Sequence, residues 1–419
     1  MIKKIYICVA IFGLGGLKIS AQINSLLSAN EKGLPKSYSF SANRFMGAGN
    51  AAYNTPNVLN TLNPASYAYA NLTSIDFGVE GESVTARFND STKNSGNVGL
   101  SHLAFLFPII PNQWGLSFGI QKTHEVNYKI NAIKEDARFG KIQNVVQGSG
   151  NLYNVFVGSG YRIEDFSFGG NIRFEFGNIK EKRDFKIVDS SYYPIIRNQN
   201  DRSQFNIAYN LGIQYHKQLN KKNSIGFGAY YLSDLSNSGT NQLSSYSIFV
   251  NNAGREVINE LENNLNSLTP NKYTQFGIGA QFTTNNTTTF GAEFTLSDYS
   301  AFKNAEGNSL QSSWEVATGV EFKPFLHPTV NTRKYFNRVT YRFGGGIGKS
   351  AFNVPGSINE FKVRGALSLP VISRTISTLT LGTEYQMIGF DSKAQSESFF
   401  KIFIQIAFAD RWFIRSKFD

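Results

Sequence analysis

Cysteine is almost missing. The only one, Cys8, lies within the N-terminal apolar stretch, so a chain processed after that stretch has neither disulfides nor thiolate metal sites. No cysteine stands where a lipoprotein signal would need one. Histidine is scarce too. His102, His124, His216 and His327 are the four, and none has a second His or an acid at metal-ligand spacing. GSGNLYN (148–154) and VGSGY (157–161) do not fit a Gly-x-Ser-x-Gly nucleophile elbow. The run FGGGIGK at 343–349 lacks the strand-to-helix context of a phosphate loop. These absences give no catalytic residue, no metal site and no cofactor, and the expectation is a non-enzyme. After residue 17, no run approaches the roughly eighteen apolar residues of a membrane-spanning helix. Dense basic runs are also missing although the net charge is +11, so nucleic acid is not an expected partner. A basic surface on an exported chain suits anionic lipid head groups instead.

What is present begins with an export signal. Lys3 and Lys4 precede an apolar run from Ile5 to Leu17, and Ser20-Ala21-Gln22 offers a cleavage site after Ala21. Residues 1–21 therefore read as a signal peptide. The whole chain combines 38 Gly, 36 Phe and 20 Tyr with only 41% apolar residues. An exported, aromatic-rich chain without cysteine fits an outer-membrane β-barrel, in which lipid-facing and lumen-facing residues alternate.

That alternation is clearest in DFSFGGNIRFEFG (165–177). Phe166, Phe168, Ile172, Phe174 and Phe176 share one face, while Ser167, Asn171, Arg173 and Glu175 share the other. Fourteen segments carry the pattern, at 72–86, 98–108, 113–128, 151–163, 165–182, 204–218, 223–235, 271–284, 287–300, 311–323, 336–349, 358–370, 374–390 and 397–409. Short connections (109–112, 163–165, 218–223, 284–287, 371–374) alternate with longer polar ones (87–97, 129–150, 183–203, 236–270, 301–310, 350–357, 391–396). Tight periplasmic turns and larger outer loops produce this alternation. An even strand number then puts both termini in the periplasm. Residues 323–336 break the rule and predict one long periplasmic turn. The expected class is all-β: a 14-stranded antiparallel transmembrane barrel over 72–419. Trp114, Trp314 and Trp412 fall beside strand ends, where an interfacial belt forms.

Residues 22–71 show no such alternation. They carry Tyr38, Phe40, Phe45, Tyr53, Tyr67 and Tyr69, and from 44 to 70 a single charge, Arg44. A free linker is more charged and less aromatic. A lumen fourteen strands wide also needs more than wall side chains to fill it. These residues therefore read as a plug. Gly-x-x-aromatic recurs at Gly212, Gly228, Gly279, Gly291, Gly319 and Gly382. It turns the glycine and the residue two on toward the lumen, and the aromatic toward lipid. Glycine there lets a plug approach the wall or lets the strand curve sharply.

RFMGAGNAAY (44–53) followed by LNTLNPASY (59–67) resembles the N-terminal hatch of the outer-membrane long-chain fatty-acid transporters, the FadL/TodX-like family. That family has a fourteen-stranded barrel whose plug carries an Asn-Pro-Ala motif. The matching positions are Gly47, Gly49, Asn50 and Ala51, then Asn63, Pro64 and Ala65. Ser66-Tyr67 departs from the Gly-apolar pair usual in the family. With the C-terminus DRWFIRSKFD (410–419) it is similar to a Bacteroidota branch, where relatives of the fold include accessory barrels of protein secretion. The resemblance implies passive uptake of hydrophobic molecules gated by the plug, with a ligand pocket beside Tyr53, Tyr67 and Tyr69. The alternative is a non-transporting accessory subunit of an outer-membrane secretion or assembly machine, with an envelope protein as partner.

Two further patterns bear on that choice. Glu293, Glu315, Glu321, Arg338, Arg342, Glu360, Lys362, Arg364, Glu384 and Lys401 fall on expected lumen faces, where opposite signs on neighbouring strands pair. In the loop at 251–268, Val257, Leu261, Leu265 and Leu268 repeat every three or four residues behind a capping Asn252. That spacing predicts a helix able to lid the barrel or dock a partner.

Overall fold

A computed structural model describes residues 51–88, 91–189, 192–250, 256–267, 273–299, 311–324, 335–351, 356–372, 376–390 and 395–412. The expected signal peptide, residues 1–21, and the plug positions Gly47, Gly49 and Asn50 lie outside the described residues. Fifteen strands follow a short 3-10 helix at Pro64–Tyr69. They are β1 (Thr73–Phe88), β2 (Ser91–Ile110), β3 (Trp114–Asp136), β4 (Gly140–Ile163), β5 (Phe166–Ile187), β6 (Ile195–Gln218), β7 (Ser224–Val250), β8 (Glu256–Ser267), β9 (Thr274–Thr284), β10 (Thr288–Asp298), β11 (Ser313–Phe322), β12 (Thr340–Lys349), β13 (Glu360–Ile372), β14 (Ile376–Ile388) and β15 (Gln395–Asp410).

Fourteen of them close a ring. Each pairs antiparallel with its sequence neighbours, β7 pairs with β9, and Thr73 to Phe88 of β1 run against Asp410 to Gln395 of β15. Closure removes every edge from the ring, as a wall in lipid requires. The fourteen expected segments are the fourteen ring strands. β8 is a fifteenth strand outside the ring, because it pairs only with the far half of β7, Thr240–Val250.

Alternation sorts the side chains as expected. In β5, Phe166, Phe168, Ile172, Phe174 and Phe176 are exposed on the outer face, while Ser167, Asn171, Arg173 and Glu175 are buried in the bore. The connections expected to be short gather at one end of the ring, together with the start of β1 and the end of β15, while at the other end only two and three residues separate β1 from β2 and β3 from β4. Asn supplies the left-handed backbone that tight turns need. Asn112 has φ 60°, and Asn285 and Asn286 have φ 52° and 57°. At this end Trp114 and Trp412 are exposed, and Trp412 meets Phe107 edge-on at 6.3 Å. Of the long turn expected at 323–336, residues 325–334 lie outside the described residues, and Tyr335–Arg338 forms a 3-10 turn.

Two expectations are corrected. Much of the long polar connections at 87–97, 129–150, 183–203 and 236–270 is strand. β3 to β7 run for 23, 24, 22, 24 and 27 residues, against the roughly nine to eleven a tilted strand needs to cross a bilayer. β9 to β12 have 11, 11, 10 and 10. The wall is thus tall on one side and low on the other. Apolar alternation marks only the stretch facing lipid, while the hydrogen-bond ladder continues beyond it. The second correction concerns 251–268. No helix forms over 256–267; β8 does, with all twelve residues exposed. Val257, Leu261 and Leu265 are four apart, a spacing that fits both a helix repeat and the two-residue period of a strand. Leu268 lies outside the described residues.

Candidate functional site: the plug seat

The described plug, residues 51–70, is held against the tall side of the wall. Its 3-10 helix starts for local reasons. Asn63 is the N-cap, with extended backbone at φ −120° and its side-chain oxygen accepting from Ala65 N–H at 3.2 Å. Pro64 fits the first turn because its missing N–H is not needed there. Asn60 Oδ1 accepts from the N–H groups of Leu62 and Asn63 at 3.2 and 3.3 Å, fixing the approach.

This helix lies on a ladder of glycines. Gly115, Gly160, Gly169 and Gly212 are successive register partners across β3, β4, β5 and β6. A Cβ on each would run into the plug: Tyr67 carbonyl at Gly115, Pro64 carbonyl at Gly160, the Pro64–Ala65 peptide at Gly169 and Asn63 Oδ1 at Gly212. Gly228 of β7 seats the Ala51 carbonyl in the same way, while a Cβ at its register partner Gly279 of β9 would stand 3.1 Å from the Ala51 Cβ. Backbone therefore packs on backbone, which only glycine permits.

Amide side chains on the same lumen face satisfy the irregular plug backbone, which has no ladder of its own. Asn171 Nδ2 donates to Thr61 carbonyl at 3.1 Å, and Asn210 Nδ2 to the Thr61 and Leu62 carbonyls at 2.8 and 2.9 Å. Gln214 Nε2 donates to Ala51 and Tyr53 carbonyls at 3.0 and 3.2 Å. Asn63 returns the contact. Its Nδ2 donates to Ala51 carbonyl at 2.6 Å and to the Ile213 and Ala229 carbonyls of β6 and β7 at 3.2 Å each. Asn63→Ala removes the cap and these donations together. We expect it to weaken plug docking by about 2 kcal/mol, read as a lower unfolding midpoint in a heat-modifiability gel.

The three tyrosines sit in separate settings. Tyr53 is buried and donates to Glu321 at 2.5 Å. Burial, reinforced by the Glu321 carboxylate, holds its hydroxyl above the ordinary value, so it stays a donor. Tyr67 is fully buried in an apolar cluster with Leu59, Leu106, Phe156 and Phe403. Tyr69 meets His216 edge-on at 6.2 Å and lies under the Arg162 guanidinium at 5.1 Å.

The low side of the wall carries a ladder of ion pairs. Lys362 bonds Glu315 and Glu360 at 2.6 and 2.7 Å, and Arg364 bonds Glu384 at 2.7 Å. Lys401 joins Glu384 to Glu82 at 3.5 and 3.3 Å. Nearer the plug, Glu321 takes Arg342 and Lys323, both at 2.7 Å, and Glu293 accepts from Ala51 N–H at 3.1 Å. Arg338 is not in this ladder. It stands in the 3-10 turn with its guanidinium over Tyr335.

Sequence reasoning missed Asn60, Asn171, Asn210, Gln214 and Lys323. A signal was present for part of the set. Gly169-x-Asn171, Gly212-x-Gln214 and Gly279-x-Gln281 each pair a glycine with an amide two residues on, on one face, and Gln281 Nε2 also reaches the plug, at Asn54 Oδ1 (3.0 Å). The glycine makes room and the amide fastens what enters it.

The BamG family model matches residues 1–419. This chain belongs to the BamG family. No curated protein sequence matches it. Among solved structures, a FadL homologue of Pseudomonas aeruginosa superposes with a TM-score of 0.58 at 10% identity, covering 91% of this chain and 100% of that one. The toluene transporter TodX of Pseudomonas putida gives 0.58 at 11% identity, over 88% and 100% of the two chains. The Ralstonia pickettii toluene transporter TbuX gives 0.57 at 12%, over 91% and 99%. At such identity these likenesses establish the barrel fold, and the BamG chain shares it.

Proposed function

We propose that this protein is a non-transporting subunit of the outer-membrane machine that assembles β-barrel proteins. The observation that carries the reading is the match to the BamG family along the whole chain, a name that denotes a component of that machine. Its partners on this reading are envelope proteins of the machine and outer-membrane lipid. Residues 1–21 direct export, 22–71 form the plug and 72–419 the barrel. Both termini lie in the periplasm, and the tall wall and β8 stand outside the cell.

The plug seat supports the non-transporting part. Backbone-to-backbone packing, amide fastening and the Tyr53–Glu321 bond make the described plug a fixed part of the wall. Passive, plug-gated uptake of a fatty-acid-like or aromatic molecule beside Tyr53, Tyr67 and Tyr69 rests on fold likeness, and fold alone does not carry function. The lumen-facing charges of β11 to β15 also make a poor path for an apolar solute.

Purification from native outer membranes in mild detergent, with mass spectrometry of proteins and lipids, tests the reading. Stoichiometric barrel-assembly proteins without a bound acyl or aromatic molecule are expected. A lone barrel carrying such a ligand would overturn it in favour of uptake.

A further inference from the structure

β8 has three properties that do not occur together elsewhere among the described strands. It has a free long edge: in the described residues it pairs with β7 and with no other strand. It is exposed on both faces along all twelve residues, with Val257, Ile258, Leu261 and Leu265 at 47%, 55%, 60% and 69% exposure. It is purely acidic, carrying Glu256, Glu260 and Glu262 and no Lys or Arg between 256 and 267, in a chain of net charge +11.

An open edge offers a row of unpaired N–H and C=O groups, which an extended segment satisfies by adding as a strand. Apolar side chains on both faces supply the pockets' contacts for alternate residues of that segment. The charge selects among occupants. Two copies of β8 edge to edge would bring six glutamates together, and like charges across a strand pair repel. Anionic lipid head groups are repelled as well. A segment with lysines or arginines is attracted.

We propose that β8 is the docking edge for an extended, basic segment of a protein partner, which continues the tall wall as a further strand. The proposal rests on the reading of the chain as a subunit of a larger assembly and names the surface and chemistry of one of its contacts.

The test uses the full-length protein in its native outer membrane, with a photo-crosslinking amino acid in place of Ile258 or Leu265. Cross-linked peptides are mapped by mass spectrometry, and the triple variant Glu256→Lys/Glu260→Lys/Glu262→Lys is run in parallel. Both sites should cross-link to one lysine- or arginine-bearing segment of one protein. The charge reversal should lower that yield by about tenfold or more, three lost attractions becoming repulsions. Heat-modifiability should remain that of the native barrel, since β8 is outside the ring. Cross-links to a second copy of the chain, to an acidic segment, or none at all, overturn the proposal, as does an undiminished yield in the reversed variant. Failure of the functional reading is separate. It would show as a basic partner on β8 that belongs to no assembly machine, whereas assembly partners that co-purify without a β8 cross-link sink the edge proposal alone.

Discussion

Gly169→Val is expected to drive the plug off its seat. The first added carbon alone would overlap the Pro64–Ala65 peptide, and backbone cannot swing aside as a flexible side chain does. The branched remainder has nowhere to go between Gly160 and Gly212, its register partners on either side. Overpacking in a well-filled core costs about 1–3 kcal/mol. Here the strain falls on a segment whose attachment depends on several amide bonds within one ångström-scale fit, so those bonds are lost with it. Tyr53, Leu62, Tyr67 and Tyr69 are buried in the native protein, and chymotrypsin should cut at them only in the variant. Gly170→Val is the matched control. A Cβ at Gly170 meets the Leu211 Cδ2 at an ordinary 3.5 Å, so the plug should stay protected. Equal protection in both variants would show that the ladder does not hold the plug.

The second large effect is expected at Glu321. Its carboxylate, buried in the bore, takes Arg342, Lys323 and the Tyr53 hydroxyl at once. Glu321→Ala leaves two cations without their counter-charge, and breaking a buried pair from one side costs about 3–5 kcal/mol. Tyr53→Phe removes one hydrogen bond to a charged group and should cost about 1.5–3 kcal/mol. Replacing the whole set, Glu321→Leu with Arg342→Met, Lys323→Met and Tyr53→Phe, should recover most of the loss, because well-packed apolar groups often replace a buried ion network at little cost. The midpoint of heat-induced unfolding in detergent checks all three. A Glu321→Ala protein as stable as the native one would mean that water already solvates these charges.

The ring of strands was legible because lipid imposes a two-residue apolar period on every crossing, as in Phe166 to Phe176. The height of β3 to β7 was not, because nothing apolar is required of a strand above the bilayer. β8 was misread for a related reason: Val257, Leu261 and Leu265 satisfy two periods, and what separates them is the pairing of Thr240–Val250 with Glu256–Ser267, a long-range fact. At the plug seat, Asn63, Pro64 and Ala65 were visible as a motif. The wall half of the seat was visible only in part, since Gly115, Gly160, Gly169 and Gly212 become a ladder through register, which no single segment carries.

If the barrel with its fixed plug serves the assembly of other barrels, locking the plug in place should leave that role intact. Cysteine scarcity makes a direct test available. A Cβ at Gly279 lies 3.1 Å from the Ala51 Cβ, a few tenths of an ångström short of the roughly 3.5–4.5 Å range of a disulfide. The variant Ala51→Cys/Gly279→Cys would lock plug to wall, Cys8 in the N-terminal apolar stretch being the one other cysteine of the sequence. The measurement is the amount of folded outer-membrane barrel proteins in cells depleted of the native protein and supplied with the oxidised, locked variant. Depletion is expected to lower those proteins, and the locked variant to restore them as well as the native chain does. Unchanged barrel proteins on depletion, or a locked variant that regains function only on reduction, would contradict it.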